Sequence, residues 1–329
     1  MPSNMTQRST SVKHAAQLLR EGKLVAIPTE TVYGLAGNGF NEAAIKAIFT
    51  TKERPFYDPL ILHTHAVEKI TAWGMHIPES LMPLAEKFWP GPLTLLIERS
   101  SQVSDFVTSG LPRVAFRIPQ HPLTLQLLAE LDFPLAAPSA NPFGFVSPTA
   151  PEHVLQHFEG KIDMVLDGGS CTVGIESTIV GVEGDEVIIY RLGGLAVEEI
   201  EAVVGKVSLR TSSSKPDAPG MLQRHYAPNK PVVTVTDQKS LSDAFSTHPN
   251  AGCMLYNLSA PSACPAERVF RLSDKQDSKE AAAKFYNALR MMSDDRSIET
   301  ILVERLPDFA LGRAINDRLR RAAVEEDQK

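Results

Sequence analysis

Two cations separated by one residue, Lys52 and Arg54, are the first side chains whose type and spacing suggest chemistry. Lys52 follows Ile48 by four residues and Phe49 by three, so a helix continued through it would set the ammonium on the buried, apolar face. A cation there must line a cleft or meet an anion, because burying it unpaired is costly. If the helix has already ended, both cations simply suit its C-terminal dipole. Arg117 and Arg191 each close an otherwise apolar strand. An arginine so placed can grip a carboxylate or phosphate through two parallel hydrogen bonds, or snorkel to solvent. Along Val187 to Arg191 the period of two sets Val187, Ile189 and Arg191 on one face. Pro138-Ser139-Ala140-Asn141-Pro142 offers a hydroxyl and an amide in a proline-flanked turn, which is ordinary turn chemistry and also a means of holding phosphate oxygens. His63 follows the strand-like Leu60-Ile61-Leu62, a common place for a hydrogen-bonded structural histidine. There is no G-x-x-x-x-G-K-[ST] loop, no strand-linked G-x-G-x-x-G and no nucleophile elbow. Any ATP must therefore be held by side chains and turn amides, and no Ser/His/Asp triad is expected.

The elements that must position these residues follow from periodicity and punctuation. A helix is expected from about Thr10 to Glu21, ended by Gly22, then a short buried strand Leu24 to Ile27 stopped by Pro28. Asn41 is placed to cap a helix carrying Ile45, Ile48 and Phe49 on one face. Strands are expected at Leu93 to Ile97, Val114 to Arg117, Met164 to Leu166, Thr178 to Val182 and Val187 to Arg191. Helices at about His121 to Leu131 and Pro151 to Phe158 are interleaved with them, a mixture that implies an α/β domain on a twisted sheet. A boundary follows at about Lys206, and the Ser- and Pro-rich stretch Thr211 to Gly220 reads as a linker. Beyond it, strands at Pro231 to Val235, Gly252 to Tyr256, Val269 to Leu272 and Thr300 to Val303 alternate with helices, notably Ser278 to Met292 and Ala314 to Ala323. That alternation implies a small parallel-sheet, Rossmann-like domain. The organisation read from the chain is a catalytic domain 1–206, a linker 207–229 and a small α/β domain 230–329.

Composition restricts the function classes. The 329 residues exceed one average domain, and 43% hydrophobic with 22% charged residues is ordinary globular usage. A formal net charge of −6 argues against coating nucleic acid non-specifically, although local basic clefts stay open. Cys171, Cys253 and Cys264 form no C-x-x-C pair, which points away from zinc and from a disulfide framework. No apolar run approaches a membrane span, and Met1 to Gln7 offers neither a basic n-region nor an apolar h-region. A cytoplasmic protein without membrane contact is the expectation.

Five blocks, in order, resemble the threonylcarbamoyl-AMP synthase family in its long form with an extra C-terminal domain. They are Pro28-Thr29-Glu30-Thr31-Val32-Tyr33-Gly34-Leu35; Lys52-Glu53-Arg54-Pro55 with Asp58-Pro59; Ala137-Pro138-Ser139-Ala140-Asn141; Gly174-Ile175-Glu176-Ser177-Thr178-Ile179; and Pro219-Gly220-Met221 with His225-Tyr226-Ala227-Pro228. The C-terminal hundred residues match in size and pattern only. The resemblance implies a YrdC-like twisted-sheet domain around a large positive cavity. It also implies condensation of L-threonine with bicarbonate to a carbamate, and transfer of AMP from ATP to that carbamate with release of pyrophosphate. Carried over by motif, Thr31, His63, Arg117, Ala137 and Ser177 would contact threonine. Arg54, Asp58, Arg113, Ser139, Asn141, Ser147, Arg191 and Tyr226 would contact ATP, with Lys52 and Arg54 as the catalytic cations, magnesium accompanying the nucleotide and no metal ligand among the side chains. The product would pass to a separate tRNA-modifying complex, with RNA contact left open. Two departures stand out: Arg191-Leu192-Gly193 replaces the usual Arg-Pro-Gly, and Leu222-Gln223 replaces a basic-aromatic pair. Arg113 occupies a variable position.

The carbamate is labile in water, so positioning and exclusion of water should dominate catalysis, and the segment ending in Tyr226 is expected to act as a flap over the nucleotide. An RNA-binding module using the same cavity would call for a broad basic surface or interleaved aromatics, which an acidic chain with few aromatics lacks. A carbamoyltransferase of hydrogenase maturation shares the domain, but that enzyme resembles a longer chain with zinc-finger cysteines, which are absent here.

Overall fold

A computed structural model describes residues 5–211, 219 and 226–323. Most of the predicted linker, and with it Gly220, Met221 and His225, lies outside the described residues.

Residues 7–209 build one eleven-stranded mixed sheet among the described residues. Its spatial order is Gln7–Ser9, Met164–Leu166, Val25–Ile27, Gly34–Asn38, Leu135–Ala136, Ile61–His63, Arg113–Arg117, Leu93–Glu98, Thr178–Glu183, Glu186–Arg191 and Ser208–Leu209. The expected strands are present, most of them shifted by one residue at an end. Gly34–Asn38 was not expected, because Gly34-Leu35-Ala36-Gly37-Asn38 lacks the β-branched residues that mark strands. Its glycines answer to packing instead: a Cβ on Gly37 would meet Ile48 and Leu24 methyl groups at 3.2 Å. The two-residue strand Leu135–Ala136 and the edge strands are too short to leave a periodic signal.

The helix Glu42–Lys52 forms as expected, with Asn41 Oδ1 accepting from the Ala43 and Ala44 amides and Glu53 ending it in the left-handed region at φ 53°. Ala44, Ile45, Ile48 and Phe49 bury one face, and Lys52 shares it. This face belongs to a core with Leu62, Leu95, Phe116 and Ile189 from the central strands, while Leu19, Ile27, Leu128 and Leu166 pack a second layer. On Glu186–Arg191 the strict alternation fails at its end. The pairing register shifts between Ile189 and Arg191, a bulge that re-aims Arg191 away from the row of Val187 and Ile189.

The second domain is a four-stranded parallel sheet ordered Val232–Val235, Thr300–Glu304, Ala251–Leu255, Val269–Arg271. Helices Gln238–Thr247, Ser278–Asp294 and Gly312–Ala322 cover it. Phe285, Tyr286 and Leu289 pack with Ile315 and Leu319 in a core that also takes in Ile175 and Tyr226, so the two sheets share apolar contacts. No helix among the described residues is long and apolar enough to cross a membrane.

Candidate active site

Strand register gathers the site at one end of the large sheet. His63 pairs with Arg117, Arg117 with Thr94, and Thr94 with Ile179, which sets Ser177 beside them. Ile179 in turn pairs with Arg191. An isolated bridge from Gly34 to Ser139 lays the Pro138–Asn141 turn against the same end. The resulting cleft encloses about 620 Å³, part of it open to solvent, and its wall includes Thr31, Arg54, His63, Arg117, Ala137, Ser139, Ser177, Arg191 and Tyr226.

One side of the cleft is organised by Arg117, which is 4% exposed. Its Nε donates to Gly91 O at 3.2 Å, Nη1 to Thr31 Oγ1 at 2.9 Å, and Nη2 to Glu30 Oε1 at 2.6 Å. Glu30 Oε2 accepts from the Gln120 amide at 3.0 Å, so the carboxylate is fixed at both oxygens. The His63 ring is buried beside Arg117, and burial followed by that neighbouring charge pushes its pKa down to about 3. It is neutral at ordinary pH, and its Nδ1 has no hydrogen-bond partner among the described residues. Ser177 Oγ lies 2.7 Å from Thr94 Oγ1 and accepts from Arg191 Nη2 at 3.0 Å.

The other side carries the remaining cations. Arg54 Nη2 pairs with Asp58 Oδ2 at 2.8 Å and also donates to Pro59 O at 2.8 Å. Asp58 is fully buried behind Arg54 and orients it rather than lining the cleft. Arg191 Nε donates to Ser177 O at 3.0 Å, and its Nη1 lies 3.4 Å from Pro219 O. Tyr226, at φ 68° and 2% exposed, closes this side.

Besides Asp58, four expected site residues stand off the cleft wall. Lys52 is 1% exposed and its Nζ donates to Ser139 O and Asn141 O, both at 2.5 Å. It therefore sits beneath the turn and shapes it, while burial, and secondarily Arg54, push its pKa well down. Asn141 Nδ2 donates to Pro142 O and Phe145 O, bracing the same turn from within. Ser147 Oγ donates to Glu176 Oε1 at 2.6 Å instead of facing the cleft. Arg113 sits at the opposite end of its strand from Arg117. There it donates to Tyr190 OH at 2.9 Å and faces Glu183 at 3.7 Å, remote from the cleft wall.

Sequence reasoning missed Glu30, Thr94, Glu176, Tyr286 and Arg318. Glu30 and Glu176 were visible within the matched blocks, but a lone carboxylate in an anion-binding motif gives no spacing signal. Arg318 and Tyr286 lie in the other domain, and only the fold brings them here. Burial raises the Glu176 pKa, and Arg318 and then Arg191 outweigh it, holding the carboxyl at about 2. The carboxylates nearest the cleft are each paired with an arginine: Asp58 with Arg54, Glu30 with Arg117, Glu176 with Arg318. Among the described residues no group of three or more His, Cys, Asp or Glu is arranged to hold a metal ion.

A family model described as "Telomere recombination" matches residues 17–193, and one described as "Threonylcarbamoyl-AMP synthase, C-terminal domain" matches residues 195–324. The chain is 39% identical to the threonylcarbamoyl-AMP synthase of Pyrococcus abyssi, over 95% of this chain and 94% of that protein. It is 36% identical to that of Bacillus subtilis, over 97% and 94%. The crystal structure of P. abyssi Sua5 complexed with L-threonine superposes with a TM-score of 0.87 at 37% identity, covering 97% of both chains.

Proposed function

The chain belongs to the threonylcarbamoyl-AMP synthase family, and from that premise we infer that its cleft holds L-threonine beside ATP and joins them through bicarbonate. The enzyme is a transferase of the nucleotidyl type with ATP as a substrate. The observation that carries the reading is the meeting of Arg54, Arg117 and Arg191, from three separate segments, on one cleft.

In the reaction we derive, the threonine amine condenses with bicarbonate to a carbamate: a C–N bond forms, a C–O bond of bicarbonate breaks, and the oxygen leaves as water. A carbamate oxygen then attacks the α-phosphorus of ATP. The bond from that phosphorus to the bridging oxygen breaks, and pyrophosphate leaves with the electron pair. The reactants are largely anionic, so the chain's contribution is fixed positive charge, orientation and exclusion of water. Arg117, held in plane by Glu30 and Thr31, receives the threonine carboxylate on its remaining donors. Neutral His63 and the Ser177 hydroxyl face the rest of the amino acid. Arg54 and Arg191 stabilise charge gathered on the phosphates, with Ser139 and Tyr226 beside them. Lys52 acts through the turn it pins, and Asp58, Asn141 and Ser147 act behind the wall. No covalent enzyme intermediate is needed.

The chain divides, on this reading, into a catalytic unit 1–206, a connector 207–229 and a small unit 230–329. The product serves a separate tRNA-modifying complex. The reading is tested by pyrophosphate release from ATP that requires both threonine and bicarbonate and proceeds without tRNA.

A further inference from the structure

The second domain reaches the cleft through two buried side chains. Arg318, fully buried on the last helix, sets Nε 3.2 Å and Nη2 3.1 Å from Glu176 Oε2. Tyr286 lies 2.9 Å and 3.1 Å from the two oxygens of the same carboxylate, and its hydroxyl donates to it. Glu176 is itself part of the cleft wall, and the next residue, Ser177, receives Arg191. The Tyr226 ring stacks on Tyr286 with centroids 5.7 Å apart, and the Arg318 guanidinium stands 5.4 Å from the same ring.

As simple glue between domains this would be a poor choice. A buried ion pair costs desolvation that apolar packing avoids, and replacing such a pair by apolar residues is often neutral or stabilising. The charge count at the cleft supplies a reason for keeping it. The arginines of the wall, Arg54, Arg117 and Arg191, are matched one for one by the carboxylates of Asp58, Glu30 and Glu176. Lys52 is left out of the count because its amino group sits beneath the turn on two backbone carbonyls, off the cleft wall, where burial pushes its pKa well down. Without Arg318 these three pairs sum to zero around a cleft for a highly anionic nucleotide. Arg318 makes the sum positive, because Asp317, 3.6 Å from its Nη1, is itself held by Arg320 at 2.6 Å and Arg321 at 2.9 Å.

We propose that Arg318 and Tyr286 are positioning residues for the synthase reaction, which hold Glu176 and Tyr226 so that the second domain gives the cleft its surplus positive charge. This rests on the reaction proposed above. Removing Arg318 alone leaves Glu176 an anion without its arginine partner, with the Ser147 and Tyr286 hydroxyls still donating to it. The consequence should fall on ATP, the most highly charged reactant, more than on threonine, which is a zwitterion.

The test uses the full chain, with initial rates of threonine-dependent pyrophosphate release and the thermal unfolding midpoint as readouts. Arg318→Met should raise the KM for ATP by roughly tenfold or more while the KM for threonine moves less than about threefold. Arg318→Lys, which keeps the charge, should fall between Arg318→Met and the wild type. Tyr286→Phe should raise the ATP KM by a few fold. Combining Arg318→Met with Glu176→Gln should recover most of the ATP KM, since the uncompensated charge is then gone. A double variant no better than the single one, or equal changes in both KM values, would overturn the proposal. If Arg318→Met does not fold, unchanged ATP KM in both Arg318→Lys and Tyr286→Phe would overturn it equally. A wild-type protein without threonine-dependent turnover would contradict the proposed reaction, and the positioning role with it. An active wild type with indifferent variants would contradict the positioning role alone.

Discussion

Arg117 Nη2 and Glu30 Oε1 stand 2.6 Å apart with both side chains about 5% exposed or less, so the cation at the heart of the cleft already carries an anion. A guanidinium has five donors, and Gly91, Thr31 and Glu30 take three of them. Glu30 therefore serves to aim the fork, leaving the other donors for a substrate carboxylate. Arg117→Lys cannot reproduce this arrangement, because one ammonium cannot span Thr31, Glu30 and a ligand. The KM for threonine should rise by roughly tenfold to a hundredfold, at about 1.4 kcal/mol per tenfold, and that for ATP much less. Equal rises, measured by initial rates with each substrate varied in turn, would count against threonine at Arg117.

Lys52 and Arg54 should separate in a way that their spacing alone does not suggest. Both cations, read as catalytic from sequence, would be expected to lose activity on truncation while the fold stays intact. The buried Lys52 ammonium instead holds two carbonyls, and each buried polar group left unpaired costs ~1–3 kcal/mol. Lys52→Ala should therefore lower the unfolding free energy by about 2 kcal/mol or more together with turnover. Arg54→Ala, at the cleft wall, should cost about a hundredfold in pyrophosphate release with a smaller stability loss. Urea unfolding alongside rate measurements decides this; a Lys52→Ala protein as stable as the wild type would refute the pinned-turn account.

His63 gives the fold a pH dependence of known sign. Its folded pKa of about 3 lies below the ordinary 6.5, so as pH falls through 6.5 the unfolded chain gains a proton that the folded one refuses. Stability is thereby lost between those values, at about 1.4 kcal/mol per pH unit for one proton. His153, pushed down to about 4 mainly by burial, adds a second contribution over a narrower window. Glu176 acts later: its stabilisation, full above its ordinary 4.5, is lost as pH falls toward about 2. His63→Gln should reduce the slope of unfolding free energy against pH by about one proton between roughly pH 6 and pH 4. An unchanged slope would mean that His63 is not buried in neutral form.

Much of this was legible in the sequence for a definite reason. The five matched blocks hold Thr31, Arg54, Ser139 and Ser177, whose turns are local, while His63, Arg117 and Arg191 show in the sequence as strand ends; the structure sets all seven on one cleft. Periodicity puts Lys52 on a buried face only if the helix runs through it, and it says nothing about what the amino group meets across 87 residues of chain. Arg113 was misplaced because a strand of five residues separates its ends by some 13 Å, at about 3.3 Å per residue, and only one end faces the site. The bulge before Arg191 leaves no mark in the alternation of Val187 to Tyr190. Arg318 and Glu176, 142 residues apart, meet only through docking of the domains. The flap expected over the nucleotide falls on residues outside those described, apart from Pro219 and Tyr226, which do reach the cleft wall.

Substrate choice offers a further check on the pocket. Ala137 and Val32 supply small apolar surface to the cleft wall, suited to a methyl group. One methyl is worth ~1–3 kcal/mol of discrimination, so serine should be used with kcat/KM lower by roughly tenfold to a hundredfold. Serine and threonine turned over alike would mean that the methyl is not read in this cleft.

The central claim is that the cleft makes an adenylate from threonine, bicarbonate and ATP. The most direct measurement incubates the purified full chain with α-labelled ATP and magnesium, without tRNA, and follows formation of labelled threonylcarbamoyl-AMP. The account predicts labelled product and equimolar pyrophosphate only when threonine and bicarbonate are both present, and neither from Arg54→Ala or Arg191→Ala above a few per cent of the wild-type rate. Nucleotide turnover that is indifferent to threonine, or no adenylate with every reactant supplied, would contradict it.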